Sequence, residues 1–316
     1  MLLPYTGVRT IIRGELNGKI SVPTLQNKKR GGLFTMTGRN FEAVLYEKDD
    51  DTKIVTVTIN RPEIKNALTL RVLAELNWAA DAVDKDDTAL ALIITGARVE
   101  GNTDPTKEAF CSGGYFNPAD LESMDEETKA EIDLTDIAQK KLCLKLWSLY
   151  KPVIVAMNGL AIGGGLTIPL ACADLIFASE YAWGRLPFVS LGIVPELASS
   201  YLLPRLLGLQ KAKEIMFFGE KMTAQEMYNL GIVNKVLPHG DLIPYARETA
   251  LRLIPPRGAW KAVRMAKEIL HKPLVEAVTG ALDRENSALN TLFASKDFVE
   301  AVTARIEKRE PVFLGA

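Results

Sequence analysis

The feature that most constrains this chain is the run Gly159 to Ala178, whose only charge is Asp174. Its length is that of a membrane-spanning helix, but Gly163-Gly164-Gly165 and Pro169 fall inside it and interrupt any continuous apolar helix. The run therefore reads as a buried turn, a helix from Leu166 to Ala173 and a strand from Leu175 to Ala178. The short apolar segment Val153 to Met157 supplies a strand leading into it.

The rest of the chain is parsed around that unit. Ala43 to Tyr46 and Ile54 to Ile59, rich in apolar and β-branched residues and separated by the acidic turn Lys48 to Lys53, predict a strand pair. Thr69 is a candidate N-cap for a helix carrying Leu70, Leu73, Leu76, Ala80 and Val83 at helical spacing. Further strands are expected at Ala89–Thr95 and Ala109–Gly114, and a long helix from Glu126 to Tyr150 that stops before Pro152. Leu197 to Leu203 predicts a helix. The last third changes character: Thr223–Leu230, Leu242–Leu253, Trp260–Leu270, Leu274–Leu292 and Phe298–Ile306 read as helices, with no strand after Val233–Leu237. That order predicts an α/β core with a helical appendage. We divide it as residues 1–35, an N-terminal extension; 36–250, the core; and 251–316, the helical C-terminal region.

Composition closes off several function classes. The chain has 316 residues, 47% of them apolar, enough to bury a full core. A net charge of −1 provides no positive field for nucleic acid, and no nucleic-acid or membrane partner is expected. The widely spaced Cys111, Cys143 and Cys172 fit buried thiols in a reducing compartment, which points to the cytoplasm. Residues 1–35 carry several Lys and Arg with only Glu15 as an acid, and lack a secretory apolar stretch. Three readings stay open for them: a tail particular to this protein, an organelle transit peptide, or sequence preceding a true start at Met36.

Two histidines, His239 and His271, both expected at the surface, leave little for a metal cluster or a Ser-His-Asp triad. No metal site is predicted. P-loop and dinucleotide fingerprints are also missing. Two glycine sites remain: Ala109-Phe110-Cys111-Ser112-Gly113-Gly114 and Asn158-Gly159 through Gly163-Gly164-Gly165. In each a strand runs into glycines, where a backbone can approach a ligand with no Cβ in the way. The second also opens a helix, whose first N–H groups lack partners and favour negative charge. Two such N–H groups converging on one carbonyl oxygen form an oxyanion hole; the same glycines would equally serve tight turns and close helix packing.

These motifs, in order with Asn60-Arg61-Pro62, Asn66-Ala67-Leu68 and Leu191-Gly192-Ile193-Val194-Pro195-Glu196, resemble the successive signatures of the crotonase (enoyl-CoA hydratase/isomerase) superfamily over residues 40–310. The resemblance implies a crotonase-like spiral of repeated ββα units with a C-terminal helical trimerisation region, assembled as a homotrimer or a dimer of trimers. It implies an acyl-CoA thioester as substrate and no cofactor beyond its CoA moiety. The oxyanion donors fall on the N–H groups of Gly114 and Gly164. Where many members have Asp after this glycine pair, this chain has Tyr115-Phe116-Asn117-Pro118 before Ala119-Asp120-Leu121, so the first donor could instead be Tyr115. CoA contacts map to Lys65 and Ala67 for the adenine end and to Lys308 for the phosphates.

The reaction depends on the carboxylates. The two Glu positions of the hydratase pattern hold Thr167 and Phe188, neither of which exchanges a proton at neutral pH. A carboxylate appears instead at Glu196, where the motif resembles that of the Δ3,Δ2-enoyl-CoA isomerases. One carboxylate suffices there, since it can remove a proton at C2 and return it at C4. A Glu after Pro195 would also be a favoured first-turn residue of the expected helix at Leu197. The resemblance thus implies an isomerase using Glu196. Its rivals are a hydratase, in which Asp120 or Glu122 could assist, and a non-catalytic acyl-CoA or RNA-binding relative.

Overall fold

The computed structural model describes residues 41–115 and 124–316. The expectations for residues 1–35 and for Asp120 and Glu122 lie outside these. In chain order the described elements begin with β1 (Val44–Asp49), β2 (Ile54–Ile59), α1 (Leu70–Lys85), β3 (Ala91–Gly96) and β4 (Ala109–Cys111). Next come α2 (Glu126–Ala130), α3 (Lys140–Trp147), β5 (Val153–Met157), β6 (Leu160–Ile162), α4 (Gly164–Cys172), β7 (Leu175–Ser179) and β8 (Trp183–Arg185). The chain continues with α5 (Ser199–Leu207), α6 (Leu209–Phe218), β9 (Met222–Thr223), α7 (Ala224–Asn229) and β10 (Lys235–Leu237). It finishes with α8 (Leu242–Leu253), α9 (Trp260–His271), α10 (Val275–Leu292) and α11 (Lys296–Glu307).

The strands form two sheets, ordered β1-β2-β3-β5-β7-β10 and β4-β6-β8-β9. The β1–β2 and β8–β9 pairs are antiparallel, and all other pairings are parallel. The chain gives a strand to the large sheet (β3, β5, β7), then one to the small sheet (β4, β6, β8), before each return. That alternation is the ββα spiral expected from the sequence.

Both faces of the inner strands β3, β5 and β7 are buried, which is why they read as largely apolar runs. Leu92, Ile94, Val153 and Val155 enter the main core with α1, α3 and α4, while Ala91, Ile93, Ile154 and Ala156 enter a second core covered by α8. The run 159–178 resolves into β6, α4 and β7, and no helix among the described residues is long and apolar enough to cross a membrane.

Several expectations are corrected. The helix predicted from Glu126 to Tyr150 is two helices, α2 and α3, separated by irregular backbone that ends at Gln139 with φ 56°. The Asp136 carboxylate accepts the Lys140 and Lys141 N–H groups at 2.7 and 3.0 Å, starting α3 afresh. Neither histidine is simply a surface residue. His239 is half-buried between Ser179 (2.9 Å) and Glu108 (3.2 Å), and His271 stacks on Trp147 with ring centroids 4.2 Å apart. The three cysteines are free and buried.

Candidate active site

The first glycine site is built by long-range stitching. The Asn66 amide donates to Ala109 O at 2.8 Å and to Ala97 O at 2.9 Å, while its Oδ1 accepts the Arg61 N–H at 3.0 Å. Lys65 and Asn66 both hold left-handed backbone, which Asn tolerates better than most residues. Asn66 is fully buried, so replacing its amide would strand several polar groups. This arrangement delivers Leu68 alongside the end of β4. The Leu68 N–H donates to Gly113 O at 2.8 Å, and the Tyr115 N–H donates to Leu68 O at 3.1 Å.

The open question between Gly114 and Tyr115 is sharpened by those bonds. Tyr115's N–H is engaged, whereas among the described residues the Gly114 N–H donates to no partner. The Gly164 N–H, first in α4, is equally uncommitted. The two lie close together, because a Cβ built on Gly113 would stand 3.5 Å from the Gly164 nitrogen and 2.3 Å from Ile162 O. Gly113 also has φ 85°, so side chains are excluded there twice over.

The triple glycine divides its work. A Cβ on Gly165 would fall 2.1 Å from Cys111 O, so that glycine serves close packing of α4 on β4. A Cβ on Gly164 would fall 3.2 Å from Glu196 Oε1 and 2.6 Å from Leu68 Cδ1. The uncommitted N–H of Gly164 and the carboxyl group of Glu196 are therefore neighbours.

Glu196 comes from the turn before α5. That helix starts at Ser199 with Ala198 as its N-cap, so Glu196 is not the first-turn residue that a helix from Leu197 would make it. Leu197 and Ala198 hold φ values of 52° and 57°, a conformation costing roughly 1–2 kcal/mol per non-glycine residue. Thr167 Oγ1 on α4 donates to Glu196 Oε1 at 2.8 Å. Burial of the carboxyl group raises its pKa from 4.5 to about 8, opposed in part by the Thr167 hydrogen bond and reinforced by the charge of Glu285. Phe188, at the other position of the hydratase pattern, is buried, and its ring would lie 3.9 Å from a Cβ on Gly163. Thr167 and Phe188 thus line the site without supplying a titrating group.

The candidate CoA contacts are more dispersed. Lys65 is exposed and its carbonyl accepts the Ser112 N–H at 3.0 Å, which ties it to the strand feeding the first glycine site. Ala67 is buried beside it. Lys308 is exposed at the C-cap of α11. That helix packs its N-terminal end against Gly192, with Phe298 N 3.1 Å from a Cβ built there. Lys308 lies about 15 Å further along the axis. Trp147 is a packing residue, since its Nε1 donates to His271 O and it is buried against that ring. Trp183 lies under the Lys221 ammonium, 4.7 Å from its centroid.

Sequence reasoning missed Glu285. This α10 residue is 4% exposed, and its two oxygens accept the Ala198 and Ser200 N–H groups at 2.8 and 2.9 Å. It belongs to no motif, because its partners are backbone groups far back in the chain.

In chemical terms, two uncommitted N–H groups at the mouth of two glycine turns can receive a carbonyl oxygen as it gains negative charge. A carboxyl group whose pKa lies near the working pH can take up and return a proton beside it. The chain matches the enoyl-CoA hydratase/isomerase family pattern over residues 49–316. It is 34% identical to the short-chain-enoyl-CoA hydratase of Clostridium acetobutylicum over 84% of this chain and 95% of that one. It is 33% identical to a probable enoyl-CoA hydratase of Mycobacterium bovis over 86% and 98%. The crystal structure of an enoyl-CoA hydratase/isomerase from Pseudoalteromonas atlantica superposes with a TM-score of 0.73 at 29% identity, covering 86% of this chain and all of that one.

Proposed function

The chain belongs to the enoyl-CoA hydratase/isomerase family, and from that premise we propose that it binds an acyl-CoA thioester, receives the thioester oxygen between the N–H groups of Gly114 and Gly164, and moves protons with Glu196. The observation that carries this reading is the adjacency of Glu196 Oε1 to Gly164, within 3.2 Å of the point where a Cβ would stand. In an enolate the negative charge sits on the oxygen facing those donors, while the carbon losing its proton faces the carboxylate.

For the net reaction, we propose Δ3,Δ2-isomerisation. Glu196 as carboxylate removes a proton from C2 of a 3-enoyl thioester, the dienolate is held by the two N–H groups, and the same proton is returned at C4. Thr167 and Phe188 support this reading, since they provide no second proton carrier beside Glu196. The second reading, hydration of a 2-enoyl thioester, is favoured by the names of the relatives, which are hydratases. There Glu196 in its acid form would protonate C2 and, as the carboxylate so formed, would take up the proton that water releases on adding at C3.

Lys65, Ala67 and Lys308 are proposed for CoA. Assembly as a homotrimer or hexamer is supported by the open apolar face of α9, where Met265, Ile269 and Leu270 are each more than 60% exposed. Cytoplasmic location is proposed on the free cysteines.

The deciding experiment offers purified protein 3-hexenoyl-CoA and crotonyl-CoA in parallel and follows the conjugated thioester by ultraviolet absorbance. Conjugation gained from the first, and lost in Glu196→Gln, supports isomerisation. Conjugation lost from the second with a 3-hydroxyacyl product establishes hydration. Turnover retained by Glu196→Gln in either reaction sinks the proton-carrier assignment.

A further inference from the structure

The turn that carries Glu196 into α5 is held from the outside by one helix. Glu285 on α10 chelates the Ala198 and Ser200 N–H groups with separate oxygens, at 2.8 and 2.9 Å. Between Glu196 and those donors stand Leu197 and Ala198, both fully buried and both left-handed without being glycine. The next residue of α10 completes the hold. Asn286 Oδ1 accepts the Ala138 N–H at 2.6 Å, Ala138 O accepts the Leu197 N–H at 3.1 Å, and Asn286 Nδ2 donates to Asp136 at 2.8 Å. Every backbone N–H from 197 to 200 is thus committed: Leu197 to Ala138 O, Ala198 and Ser200 to Glu285, and Ser199 to Glu196 O at 3.0 Å.

We infer that Glu285 is a positioning residue for Glu196: it fixes the left-handed turn that aims the Glu196 carboxyl group at Gly164, and its own negative charge opposes a second one there. The inference rests on the reading of Glu196 as proton carrier. A carboxylate is the only side chain that can accept both N–H groups at once with a matching pair of oxygens; a glutamine can accept just one of them through oxygen. Its charge has a second consequence, because Glu285 is among the groups that hold the Glu196 pKa up. The other titratable groups coupled to Glu196 are Cys111 on β4 and Cys143 on α3. Burial pushes the Cys111 thiol up to about 12 and the Cys143 thiol higher, so both stay neutral where Glu196 titrates. Burial also raises Glu285 itself, while Ser200, the Ala198 N–H and the neighbouring Arg284 favour its ionised form.

The test measures kcat, KM and the acid limb of the rate profile from about pH 6 to about pH 10, using 3-hexenoyl-CoA, for which Glu196 must start as the carboxylate, for the wild type, Glu285→Gln and Glu285→Asp. In Glu285→Gln we expect kcat to fall roughly tenfold or more at the alkaline plateau, from a carboxyl group displaced by a fraction of an ångström. KM should stay within about twofold, and the acid limb should move down by roughly half to one pH unit as the charge is lost. Glu285→Asp retains the charge with a shorter reach, so it should lose kcat and leave the limb in place. A merely structural role would not separate the two variants in this way.

Wild-type kcat and limb in Glu285→Gln overturn the inference, as does a limb that moves equally in both variants. If Glu285→Gln does not fold, Ala198→Gly is added to it, since glycine takes the left-handed conformation without steric cost; the limb should then still be shifted, and a wild-type limb in that double variant is a negative result. Glu196→Gln run beside them separates the two levels. Activity surviving in Glu196→Gln removes the underlying reading, whereas a dead Glu196→Gln with a wild-type Glu285→Gln removes only the role of Glu285.

Discussion

Replacing Glu196 by glutamine should abolish turnover and, at alkaline pH, make the protein more stable. Burial raises the carboxyl pKa from 4.5 to about 8. At 1.36 kcal/mol per pH unit that is a cost of about 5 kcal/mol for holding the charged form in the folded site. The sign follows from linkage. Because the folded pKa lies above the unfolded one, the stability this group supports is fully present below about pH 4.5 and is lost as pH rises through about 8. The wild type should therefore lose about 1 kcal/mol from this source by pH 5 and about 4–5 kcal/mol above pH 8. Glutamine carries no such charge. Its unfolding free energy, measured by urea denaturation, should match the wild type near pH 5 and exceed it by up to about 4 kcal/mol near pH 9. The same pKa governs rate. A carboxylate needed as base is about one-tenth ionised at pH 7 and about nine-tenths at pH 9, so wild-type kcat/KM should rise roughly tenfold between them. A flat kcat/KM over that range, or a glutamine variant less stable than the wild type at pH 9, would refute the argument that burial tunes Glu196.

Three further changes test other parts of the molecule. Gly164→Ala puts a methyl group 3.2 Å from Glu196 Oε1 and 2.6 Å from Leu68 Cδ1, so kcat should drop on the order of 10²-fold in steady-state assays while circular dichroism stays unchanged. Glu75→Gln on α1 disturbs a buried carboxylate that accepts the N–H groups of Glu42, Ala43 and Val44; it should cost about 1–3 kcal/mol in urea unfolding and leave kcat alone. Lys308→Ala should raise KM for the CoA thioester by roughly two- to tenfold with kcat unchanged, and should leave hydrolysis-resistant acyl-pantetheine binding, read by calorimetry, untouched.

The parts of the fold legible in the sequence are those where burial writes itself into composition. Strands β2, β3, β5 and β7 are flanked by core on both sides, so each is an apolar run that needs no partner to be recognised. β6 and β8 have three residues each, too few to establish a period, although β6 carries the chain into the triple glycine. The break between α2 and α3 was hidden because no Gly or Pro marks it. It is made by Asp136 acting on the following N–H groups and by Asn286 arriving from α10. Helix α6 went unrecognised for a different reason: Gly208 stops α5 and caps α6 at once, so the two helices read as one interrupted segment. The glycines and Glu196 were legible because each is the residue type its place demands. Glu285 was not, since a glutamate at one position of a long helix looks like any solvated side chain until the turn it grips is brought beside it.

The alternation of strands between two sheets has a consequence for how such a protein can change. Gly114 follows β4, Gly164 follows β6 and Glu196 follows β8, so each candidate element closes a different lap of the chain. The laps meet only at their ends. An inherited substitution on the third lap can replace the proton carrier while the two laps before it keep their paired amides, and one on the second lap, at Thr167, can add or remove a group without redrawing either neighbour. New reactions can then be sampled one lap at a time on an unaltered anchoring chemistry, with α10 acting as the shared brace that any such experiment of descent must leave in place.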